Sequence, residues 1–173
     1  MSDLSTIVNT LDKAWDVFKN GKHVPGFDSK SANAIPDGTS PLTDLDDWMG
    51  PNHYQFRYYS ENKVFGHHVN TISDVTMSLQ WSFAGHWAHG KLIHKGMYLN
   101  NVRVTLDDAN GTIGDTLNIR VETGSPENTG GYRYPIAGLP VYVIIEETPS
   151  YTLNAHSETR SFYLWGTGAV QEY

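Results

Sequence analysis

The chain has 173 residues, a length that suits one hydrophobic core, and its formal charge of −7, from 12 Lys and Arg against 19 Asp and Glu, comes without any basic cluster. That balance argues against nucleic acid or an anionic membrane as partner, since both need gathered positive charge. Charged residues make up only 18% and cysteine is absent, so neutral Gly, Ser, Thr, Asn and Tyr must keep the surface wet, and packing alone, without disulfides or thiolate metal sites, must hold the fold.

From the amino end, Leu4, Ile7, Val8, Leu11, Trp15 and Phe18 recur at three- and four-residue spacing, which predicts an amphipathic helix within 1–21, capped by Ser2 or Asp3 and stopped at Gly21. Its apolar stripe has two readings. It packs on a sheet, or Leu4, Ile7, Leu11, Trp15 and Phe18 leave the body of the protein and insert into a bilayer interface. Residues 22–51 are rich in Pro and Gly and read as a connector with a few short edge strands. Within it, Asp44, Asp46, Asp47 and Trp48 read as an acidic loop capped by a packed tryptophan.

Over 52–168 the period becomes two. Val75, Met77, Leu79, Trp81 and Phe83 alternate with Thr76, Ser78, Gln80 and Ser82. Shorter alternations occur at Tyr54, Phe56, Tyr58, at Val102, Val104, Leu106, at Leu117, Ile119, Val121, and at Phe162, Leu164. Leu139, Val141, Val143 and Ile145, with Tyr142 and Ile144 between, predict a central strand. Asn110-Gly111 reads as a hairpin turn, and 169–173 as a tail. One apolar face per strand requires two stacked sheets. The expected fold is a single domain over 1–173, mainly β, an antiparallel two-sheet β-sandwich with one N-terminal amphipathic helix. The start lacks a basic region followed by an apolar run, and no window holds 18 consecutive apolar residues. The expectation is a soluble chain without a transmembrane segment or classical secretion signal, exported, if at all, by a non-classical route.

Eight histidines are present, and His86, His89 and His94 fall close together. Imidazoles hold zinc, copper and iron, but on a strand His86 and His94 share a face that His89 does not. The plainer reading is a set of exposed polar side chains. Asp108-Ala109-Asn110-Gly111 resembles the middle of a calcium loop, with Leu106 and Leu117 where ligands would be needed. No Gly-x-Ser-x-Gly occurs, and Asp46-Asp47 and Glu146-Glu147 are neighbours whose side chains diverge on a strand. No cofactor is expected. The remaining excess is aromatic: Trp87, Tyr132 and Tyr134 lie where turns are expected, suited to stacking on sugars or caging quaternary ammonium, with His86 and His89 as polar neighbours.

The layout of a cysteine-free chain of this length, with an amphipathic amino-terminal helix and aromatic-rich loops, resembles the cytolysin and lectin superfamily of β-sandwiches that includes sea-anemone actinoporins and fungal fruit-body lectins. The resemblance implies recognition of a membrane or a glycan rather than turnover. The functional expectation is a non-enzymatic protein that binds a neutral or zwitterionic surface, such as a lipid headgroup, through loop aromatics. The alternatives are a glycan-binding lectin and a metal-dependent enzyme using His86, His89 and His94. Strand edges near Tyr54 or Phe162 leave a homo-oligomer open.

Overall fold

Period-two patterning becomes pleated strands, because alternate side chains of an extended chain point to opposite faces and the apolar set must be covered. A computed structural model describes residues 14–19, 22–23, 31–35, 40–87, 96–111, 116–131, 134–149 and 155–173. These form β1 (Ala14–Lys19), β2 (Lys22–His23), β3 (Ala32–Ala34), β4 (Leu45–Asp46), β5 (Met49–Val64), β6 (His67–Trp87), β7 (Tyr98–Gly111), β8 (Thr116–Thr123), β9 (Glu127–Asn128), β10 (Ala137–Thr148), β11 (His156–Trp165) and β12 (Val170–Glu172). One sheet has the order β12-β11-β10-β8-β1-β2, with β9 on β10, and the other runs β3-β7-β6-β4, with β5 continuing the β4 edge of β6. All strand pairs are antiparallel.

The predicted inward positions form the core. Val75, Met77, Leu79 and Trp81 from β6, Val102 and Val104 from β7, Leu117, Ile119 and Val121 from β8, and Leu139, Val141, Val143 and Ile145 from β10 are buried together, with Phe56, Tyr58, Phe162 and Leu164. β10 is central, between β8 and β11.

Three expectations are corrected. No helix occurs among the described residues, and Ala14–Lys19 is a strand on the free edge of β8. Trp15 stands opposite Ile119 and Phe18 opposite Leu117, so three steps on β1 match two on β8 across an irregularity after Asp16. A bulge thus absorbs the three-residue spacing that reads as helical, and pairing with an open sheet edge outweighs local preference. Leu4, Ile7 and Leu11 lie outside the described residues. Asn110-Gly111 is no hairpin turn, because it pairs with Ser73 and Asp74 on β6 while β8 belongs to the other sheet. The two-residue hairpin turn is Phe65-Gly66, between Val64 and His67. The tail 169–173 contains β12, held because the Tyr54 hydroxyl donates to Glu172 at 2.9 Å and Arg160 Nε donates to the same carboxylate at 2.6 Å. Trp48 packs as expected, its ring over Gly85 and its Nε1–H on the Pro41 carbonyl at 3.1 Å.

The sheets are joined at both ends. At one end, Glu147 of β10 is buried and accepts from Ser60 Oγ at 2.7 Å and from the Tyr58 hydroxyl at 3.3 Å, both on β5. At the other, backbone bonds run Ala84 N–H to Gly166 O at 2.8 Å, Gly166 N–H to Ala137 O at 2.7 Å, Ala137 N–H to Met97 O at 2.9 Å and Met97 N–H to Pro135 O at 2.9 Å. On the outer face of the β5-β6-β7 sheet, polar side chains satisfy one another. Arg57 forms a two-pronged pair with Asp74, Gln55 and Ser78 donate to Asp107, and Arg103 donates to Gln80.

Leu79 is fully buried, so Leu79→Ala is expected to cost about 2–5 kcal/mol in urea unfolding, from lost transfer energy and the cavity left behind. Alkali has a directional effect. Burial pushes the Tyr98 hydroxyl up to about 12, and burial with the neighbouring Glu127 does the same for Tyr163. Tyr58 is raised as well, by burial first and then by Glu147. In the unfolded chain these phenols ionise near 10, so above that pH the unfolded state binds fewer protons and stability falls. Absorbance titration of phenolate should show these tyrosines ionising late or together with unfolding.

Candidate functional site

The end of the sandwich stitched by Gly166 carries an open pocket of about 530 Å³. Asp47 and Met49 reach it from the β4–β5 junction, Ala84 and His86 from β6, Gly96 and Met97 from the approach to β7, and Tyr134, Pro135 and Ile136 from the approach to β10. Most of this lining is apolar. Main-chain bonds hold the segments that carry these side chains. Met97 and Ile136 form a parallel bridge, and the backbone bonds through Gly166 fix Ala84, Met97 and Pro135. The Asn128 side-chain carbonyl accepts from the N–H groups of Gly130 at 3.0 Å and Ile136 at 3.1 Å, and Tyr134 N–H closes on Gly131 O at 3.1 Å. That turn leaves the Tyr134 residue 64% exposed at the rim.

Among the described lining residues, one side-chain pair supplies most of the polar character. His86 Nε2 lies 2.8 Å from Asp47 Oδ2, and His86 Nδ1 faces the Ala84 carbonyl at 3.3 Å. Both neighbours are acceptors, so a neutral ring can donate to one of them and an imidazolium to both. The two side chains are 40% and 70% exposed, so the pair contributes little to stability. Backbone strain gathers here too. Of the four non-glycine residues with positive φ among those described, Asp47 at 58° and Ala84 at 61° both line the pocket. Such backbone costs roughly 1–2 kcal/mol per residue and collects at sites where shape matters.

His86 and Tyr134, both singled out in the sequence, therefore meet at one pocket. Trp87 ends β6 opposite Leu45, while His89, His94 and Tyr132 lie outside the described residues. Trp15 and Phe18 are on β1. Asp47, Met49, Ala84, Met97 and Ile136 were not anticipated, although Asp47 beside Trp48 in the acidic stretch was the available signal. Among the described residues, no group of three or more His, Cys, Asp or Glu side chains is placed to hold a metal ion, and no helix is long and apolar enough to cross a membrane. Comparison of the chain with protein-family models, curated proteins and solved structures finds no match.

A Cβ at position 166 would strike the Met97 carbonyl. Gly166→Ala is expected to lower stability by about 1–3 kcal/mol and to shift the amide resonances of Ala84, Met97 and Ala137. His86→Ala should change stability by less than about 1 kcal/mol, checked by the same urea titration.

Proposed function

We propose that the chain is a non-enzymatic binding protein for a neutral or zwitterionic amphiphile, whose apolar part enters the pocket while its headgroup meets Tyr134 and Asp47. The observation that carries this reading is the described lining: Met49, Met97, Pro135 and Ile136 make an apolar concavity of about 530 Å³, with the Asp47 carboxylate and the exposed Tyr134 ring at its edge. Small-molecule sites have this size and this mix of apolar wall and few polar groups. A quaternary ammonium is attracted both by the face of a tyrosine ring and by a carboxylate. The unbranched side chains of Met49 and Met97 adapt to chains of varied shape.

The pocket gives a lectin less support, since sugars call for several donors and acceptors and the described lining is mostly apolar. For the metal-dependent alternative, His86 pairs with Asp47 at the pocket edge, and His89 and His94 lie outside the described residues. Dihexanoyl phosphocholine, held below its micelle concentration, tests the proposal by titration with detection by amide NMR. Saturable shifts confined to Asp47, Met49, Ala84, His86, Met97, Tyr134 and Ile136 are expected. Met97→Asp, which puts a charge on the apolar wall, should weaken binding by about tenfold or more. Diffuse or absent shifts overturn the reading, and binding from a glycan panel instead would favour the lectin.

A further inference from the structure

We infer that the tip of the β5–β6 hairpin is a bilayer-contact element, in which Phe65 enters the interfacial layer of a zwitterionic membrane. Among the described residues the β6–β7 pairing ends at Ser73 with Gly111, whereas β5 and β6 continue through Glu61↔Thr71, Asn62↔Asn70, Lys63↔His68 and Val64↔His67. The ribbon turns at Phe65-Gly66 with φ of 51° and 81°, so both central residues are left-handed, as a type I′ turn requires. That turn is served by Asn, Asp or Gly in its first central place, and a bulky side chain there is an outlier. Phe65 is also 98% exposed, so no contact with the described residues offsets either the strain or the wet ring.

The surroundings select the occupant. Beside the tip, Lys63, His67 and His68 are exposed and polar, whereas the core of a stable protein interface is depleted in charge. A bilayer interface accepts a single aromatic ring with polar groups held at headgroup level. Lys63 Nζ lies 2.5 Å from Glu61, so the flank carries paired charge, which suits phosphatidylcholine rather than an anionic lipid. β5 runs from Met49 at the pocket to Val64 at the tip, 16 residues or about 50 Å at most, which places the two at opposite ends. The inference is therefore independent of what the pocket binds.

The test is flotation of the whole chain with phosphatidylcholine vesicles. Phe65→Asn creates the favoured Asn-Gly turn, so the variant should melt higher than the parent while requiring about tenfold more lipid for half-binding. Phe65→Trp should keep binding. Binding of dihexanoyl phosphocholine in the pocket should be the same in all three proteins, which separates this inference from the pocket reading. A parent that fails to float, or a Phe65→Asn variant that floats equally well, overturns it. So does vesicle-free sedimentation showing self-association that Phe65→Asn abolishes, because the tip would then join copies of the chain.

Discussion

Two stacked sheets with one apolar face each must be closed at their ends as well as pressed together, and here the closure at one end turns on Gly166. Its N–H and carbonyl belong to a run of backbone bonds that links β6, β10 and the approach to β7. Only a residue without Cβ can lie this close to the Met97 carbonyl. The same bonds that satisfy buried backbone groups set the spacing of Ala84, Met97 and Pro135, and hence the width of the pocket. Shape at the site is thereby coupled to the fold, while the chemistry of the site, His86 with Asp47, is attached at its exposed edge.

The opposite end is joined by a carboxylate. Glu147 is 2% exposed and accepts from two hydroxyls, Ser60 Oγ and the Tyr58 phenol. Ser73, the cross-strand partner of Ser60, is buried, and its hydroxyl has no hydrogen-bond partner among the described residues. Burying polar groups costs stability relative to apolar packing, but a carboxylate that must find those two hydroxyls fixes how β10 of one sheet sits against β5 of the other at this end.

The sandwich was legible wherever a strand keeps strict alternation. Val75 to Trp81, Leu117 to Val121 and Leu139 to Ile145 needed only the rule that alternate side chains share a face, and all are buried as expected. Trp15 and Phe18 misled because an irregular register gave strand residues the spacing of a helix, and the partner edge of β8 lies about a hundred positions away in the sequence. The Asn110-Gly111 pair carried correct turn chemistry in the wrong place, since local preference does not reveal that β7 and β8 belong to different sheets. His86 and Tyr134 could be nominated singly. The pocket could not, because it is assembled from four stretches of chain whose meeting is set by main-chain bonds without a sequence signature.

The outer face of the β5-β6-β7 sheet is polar, and its groups are matched to one another within the sheet. Arg57 with Asp74, Asp107 with Gln55 and Ser78, and Gln80 with Arg103 spend their hydrogen-bonding capacity on one another. A third layer laid on this face would have to dehydrate a closed network and would gain little in exchange. Exposed ion pairs such as Arg57 with Asp74 weaken as salt rises, whereas the neutral donors Gln55, Ser78 and Gln80 are held by bonds that salt screens far less, so the face keeps its internal order across ionic strengths.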